Sequence, residues 1–144
     1  MKNDNYLDIF KSKQKAIYHA TWMNFKYRVA KIISGVIHGP EDDFAVCEEI
    51  TAKEMETSFL DILPDNYANL SYDNIQEIRT DVEPVMPWEE ICGLFSTTDG
   101  ETLMYIIKMK IPLEKLIRYE LTLRERNEYN HFCGFEKAKE IWLK

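Results

Sequence analysis

Six large apolar residues, Tyr18, Trp22, Phe25, Val29, Ile32 and Val36, recur at alternating spacings of four and three. That is the rhythm of one helical face, and no other stretch restricts the possible folds so tightly. It predicts one long helix over 14–37, closed by Gly39 and Pro40. The same residues allow a second reading. Residues 27–37 are rich in Val and Ile, 44–50 can pair with them, and Gly39-Pro40-Glu41-Asp42-Asp43 has turn composition. A β-hairpin over about 26–50 is therefore the alternative.

The rest of the chain reads as capped helices. Near the start, Tyr6, Ile9 and Phe10 fit a short amphipathic turn. Thr51-Ala52-Lys53-Glu54 has the spacing of a capping box, which predicts a helix through Met55, Phe59 and Ile62 to just before Pro64. Pro64-Asp65-Asn66-Tyr67 is a turn by composition. Ser71 caps a helix bearing Ile75, Ile78 and Val82 that stops before Pro84. Pro87 suits the first position of a short helix over 88–95, whose Glu89 and Glu90 complement the positive helix end. Thr98-Asp99-Gly100-Glu101 repeats the capping-box pattern ahead of Leu103, Ile106 and Ile107. Pro112 opens a helix over 113–126, with Leu113, Leu116, Ile117 and Leu121 on one face and Glu114–Arg118 and Glu120–Arg124 at ion-pair spacing. A polar linker at 127–131 precedes a last helix over 135–144. The expected fold is mainly α, a compact single-domain helical bundle of about six or seven helices across 1–144. The alternative is an α+β fold in which the N-terminal hairpin packs on helices. Either contains an acidic middle segment, 41–90, and a C-terminal helical hairpin plus short helix over 98–144.

Charge is segregated along this frame. Residues 1–38 carry a formal charge of +5, residues 99–144 carry +1, and residues 39–98 set fifteen carboxylates against Lys53 and Arg79, for −13. A pI near 5 disfavours broad phosphate neutralisation, the mode by which proteins hold duplex nucleic acid. The three cysteines, Cys47, Cys92 and Cys133, are odd in number and far apart, and residues 1–10 lack a basic segment followed by an apolar run. Reduced thiols in a cytoplasmic protein are the expectation. No apolar run approaches the roughly 20 residues of a membrane span, so no membrane role is expected.

Motifs that carry chemistry are absent. The sequence has no glycine-rich phosphate loop, no His-Glu-x-x-His, no Cys-x-x-Cys and no Gly-x-Ser-x-Gly. His131-Phe132-Cys133 has metal-like spacing, but zinc needs paired ligand clusters and the other His and Cys residues are scattered singly, so no metal and no cofactor are expected. Glu41, Asp42, Asp43, Glu48 and Glu49 offer oxygen ligands without EF-hand spacing and suit a solvated or partner-facing surface better. These features favour a small, acidic, non-enzymatic protein-binding module of the inhibitor, immunity or regulatory-adaptor type. Its negative surface would meet a basic protein partner and mask a nucleic-acid-binding site as a charge mimic. The expected contact residues are Glu41, Asp42, Asp43, Glu48, Glu49, Tyr67, Tyr72, Trp88, Glu89 and Glu90, the aromatics supplying anchors that charge alone lacks. The alternative is a DNA-binding regulator, as on a mobile element, in which 98–126 acts as a helix-turn-helix and Lys115, Arg118 and Arg124 approach DNA. Oligomeric state is left open by the sequence.

Overall fold

A computed structural model of the chain describes residues 7–144. Among these the protein is mainly α, with seven α-helices and a small three-stranded antiparallel sheet of order β1-β3-β2. Residues group into two compact units, Met1–Ser96 and Thr97–Lys144. The sheet lies wholly in the first.

The first unit opens with β1 (Asp8–Phe10) and α1 (Lys13–Lys26). The expected amphipathic turn is instead an edge strand at Ile9 and Phe10, while Tyr6 lies outside the described residues. Ser12 caps α1, its hydroxyl accepting from the Lys15 backbone N–H. The helix does not continue to residue 37: it stops at Lys26, the chain turns through Lys31 at φ 59, and β2 (Ser34–His38) follows. A short 3-10 turn (Pro40–Asp42) then leads into β3 (Phe44–Glu48), which pairs with β2 in the register Val36↔Val46 and Ile37↔Ala45. Helix and hairpin thus divide the segment between them. The long helical reading failed because both faces of β2 are buried. Val36 packs with Ala16, Ala20 and Val46 under α1, and Ile37 packs with Ala45, Cys47 and Ala52 on the opposite face. A strand buried on both faces has no polar alternation, and its apolar run can fall in step with a helical period.

Two local devices fix the hairpin against α1. The Asn24 amide donates to the Ser34 carbonyl at 3.1 Å and accepts from the Ser34 N–H at 2.6 Å. Gly35 lies where an added Cβ would stand 2.5 Å from the Phe59 ring, so the glycine makes room for that ring on the second face.

The capping box expected at Thr51 does not form. Here α2 (Glu49–Glu54) starts two residues earlier and makes no side-chain cap bond. It also ends well before Pro64. Glu56 takes φ 54, its N–H bonds to the Lys53 carbonyl and the Thr57 N–H to that of Ala52, a Schellman closure. Phe59 is then released to pack on the sheet, and the Leu60 N–H bonds to the Val36 carbonyl at 2.8 Å. In α3 (Tyr72–Thr80), the Ser71 hydroxyl accepts from the Asn74 N–H and the Asn74 side chain answers the Ser71 N–H, a true capping box. The unit closes with α4 (Trp88–Ser96).

In the second unit, α5 (Gly100–Lys108) is capped by Asp99, not by the Thr98 of the expected box. Pro112 precedes α6 (Leu113–Leu123), and both expected ion pairs form, Glu114–Arg118 at 2.8 Å and Glu120–Arg124 at 2.6 Å. A loop tied by the Asn127 side chain, which accepts from the N–H groups of Tyr129 and His131, leads to α7 (Phe135–Trp142). The Trp142 indole donates to the Arg126 carbonyl at 2.7 Å, and Thr122 and Ala138 are fully buried.

Candidate functional site: exposed carboxylates and an aromatic-lined cavity

Three lysines at alternate positions, Lys11, Lys13 and Lys15, enter α1 from its N-terminal side. Each meets a different part of the acidic segment: Asp43 at 3.8 Å, Asp61 at 2.8 Å and Asp81 at 3.0 Å. The basic N-terminal stretch therefore neutralises three of the fifteen carboxylates. The other twelve make no ion pair among the described residues, and all twelve are exposed.

The Lys15 pair is the least exposed of the three and the most fully bonded. Burial alone would push the Asp81 carboxyl up, but the Glu83 backbone N–H at 2.9 Å and the Lys15 ammonium outweigh it and hold the group below the usual carboxylate range. The same ammonium donates to the Glu83 carbonyl at 2.8 Å, tying α1 to the loop after α3.

One turn along α1 stands Tyr18, 5% exposed. Its ring meets Tyr67 edge-on at 5.7 Å and Trp88 edge-on at 5.4 Å, and Tyr67 and Trp88 are 5.2 Å apart. Three separate segments thus converge on one aromatic cluster. Burial raises the hydroxyl pKa of both tyrosines, opposed at Tyr18 by a hydrogen bond with Gln14 and at Tyr67 by one with Thr21; nearby Glu77 pushes Tyr18 further up. Among the described residues the Trp88 indole N–H is buried and has no acceptor.

Between α1, α3 and α4 lies a cavity of about 310 Å³. Tyr18, Trp88 and Val85 form apolar wall, while Lys15, Glu77 and Asp81 supply charge.

The structure gathers some of the expected contact residues and separates others. Tyr67 and Trp88 come together, and Glu89 and Glu90 stand exposed on the first turn of α4 beside Trp88. Tyr72 is 90% exposed at the start of α3 and is not part of the cluster. Glu41, Asp42 and Asp43 occupy the β2–β3 turn, whereas Glu48 is the last residue of β3 and Glu49 the first of α2, about 15 Å away along a five-residue strand. Lys15, Tyr18, Glu77 and Asp81 escaped sequence reasoning, because their partners lie as far as 66 and 68 positions away, or further, and carry no local signal. Of the residues considered for DNA contact, Lys115 is exposed on α6, Arg118 is bonded to Glu114 and to the Trp142 carbonyl, and Arg124 is bonded to Glu120.

Among the described residues, no three His, Cys, Asp or Glu side chains gather where they can hold a metal ion, and no helix is long and apolar enough to cross a membrane. Cys47, Cys92 and Cys133 are free thiols. No protein family, curated protein or solved structure matches the chain.

Proposed function

We propose that the protein is a non-enzymatic binding module that presents its acidic face to a basic surface on another protein, as an inhibitor, immunity protein or regulatory adaptor does. The observation that carries this reading is the excess of exposed carboxylate: twelve acidic side chains of residues 39–98 are left over after Lys11, Lys13 and Lys15 have made their pairs. They ride on a folded sheet-and-helix frame, so the negative potential has a fixed shape. Such a field steers cationic partners and speeds encounter, and it excludes nucleic acid from whatever surface it covers. Masking of a nucleic-acid-binding site is the specific form favoured here. Cytoplasmic action accords with three free thiols.

The DNA-binding reading gains no support from the second unit. Arg118 and Arg124 have their guanidinium groups engaged by glutamates of the same helix, and those glutamates repel a phosphate backbone.

Binding to an arginine-rich peptide, followed by calorimetry at low and at high salt, tests the proposal. Affinity should fall steeply with salt, and a variant carrying Glu41→Gln, Asp42→Asn, Glu48→Gln and Glu49→Gln should bind more weakly. Salt-independent binding that the neutralised variant retains in full would count against the acidic face, as would recovery of no partner protein from the native host.

A further inference from the structure

The geometry points to the cavity between α1, α3 and α4 as a receptor for one arginine side chain of the partner. This inference rests on the acidic-module reading and places its specificity at one spot. Charge is the first argument. The lining holds two carboxylates, Glu77 and Asp81, against one ammonium, Lys15. Asp81 already shares that ammonium with the Glu83 carbonyl, whereas Glu77 is exposed and makes no ion pair among the described residues. A cation entering the cavity therefore finds a carboxylate that needs no rearrangement to receive it. The wider segment, at −13, raises the local concentration of such cations.

The second argument is the aromatic wall. Tyr18 and Trp88 hold each other edge-on and are braced from behind by Tyr67, so they form a rigid surface. A planar guanidinium can stack on such a surface and still direct its N–H groups to a carboxylate, which a lysine ammonium does less well. Size agrees: about 310 Å³ is at the lower limit for ligand pockets and suits one side chain. Among the described residues the buried Trp88 indole N–H has no acceptor, so its resonance reports on the wall to which the ring belongs.

The experiment is a titration of the isotope-labelled full chain, following the Trp88 indole N–H resonance, assigned with Trp88→Phe. The probes are N-acetyl-arginine methylamide, its uncharged citrulline counterpart, and an arginine-containing peptide. The arginine probe should move the resonance saturably, the citrulline probe at least tenfold more weakly, and the peptide should act at lower concentration than the single residue. Glu77→Gln, an exposed change outside the core, should weaken the arginine probe about fivefold. Glu136→Gln, an exposed change outside the acidic segment, should leave it unchanged. Equal shifts from the arginine and citrulline probes, or none from either, overturn the inference. A peptide that binds in a salt-sensitive way without moving Trp88 overturns the cavity but leaves the acidic-face reading standing. A peptide that does not bind at all overturns both, and a response to the small probe alone assigns the cavity to a free guanidinium compound instead.

Discussion

Gly35 and Cys47 face each other across β2 and β3, and each shows how one side chain depends on a partner the chain reaches only by folding. An alanine at 35 puts its methyl within 2.5 Å of the Phe59 ring, so Gly35→Ala should destabilise by about 1–3 kcal/mol as Phe59 is driven off the sheet. Pairing it with Phe59→Leu should recover part of that loss in chemical denaturation; an additive double variant would show that the ring is not the obstacle. Cys47 is buried in the same layer, and burial pushes its thiol up, with Glu48 adding to the shift. Under native conditions at neutral pH an alkylating reagent should modify Cys92 and Cys133 well ahead of Cys47, read by mass spectrometry. Neither effect is visible in the sequence, where Gly35 is one glycine among five and Cys47 one cysteine among three. Tyr67 and Trp88 stand out in the sequence by residue type alone, and only the fold brings them to Tyr18.

Helix boundaries were legible where a polar residue meets its own backbone a few positions away. Ser71 caps as short-range chemistry requires, and Glu114–Arg118 and Glu120–Arg124 pair at helical spacing, whereas the cap of α5 falls on Asp99, one position after the expected Thr98. Ends were harder, because three helices close on a non-glycine residue in the left-handed region: Glu56 after α2, Lys110 after α5 and Glu125 after α6, at φ 54, 51 and 55. Each makes the paired backbone bonds of a Schellman motif, in which glycine is the usual occupant. Glu56→Gly, Lys110→Gly and Glu125→Gly should therefore each stabilise by about 0.5–1 kcal/mol, measured as a rise in denaturant midpoint at constant slope. The Asn24–Ser34 bonds act at the same scale, linking a helix to a strand. With both groups half-buried or buried, Asn24→Ala should cost about 1–3 kcal/mol and loosen hydrogen-exchange protection of β2.

For the whole molecule, the long-range pairs set how stability responds to pH. The Asp81 carboxyl is held below its ordinary value, so its contribution is complete above about pH 4 and is lost as pH falls through the lowered value. The stability difference between the wild type and Asp81→Asn should accordingly shrink on acidification. Tyr18 and Tyr67 act in the opposite sense: their raised values mean a contribution that is complete below about pH 10 and lost as pH rises through them. Tyr67→Phe should therefore flatten the alkaline limb of the stability profile. By itself the sequence determined the helical character, the caps at Ser71, the α6 ion pairs and the concentration of acid in residues 39–98, since all of these depend on composition or on neighbours within about four positions. Only the tertiary structure decided that residues 34–48 are a hairpin, that Lys11, Lys13 and Lys15 neutralise three carboxylates and leave twelve exposed, and that Tyr18, Trp88, Glu77 and Asp81 line one cavity. Those outcomes turn on which distant segments bury one another, and burial is a property of the packed chain that no local spacing encodes.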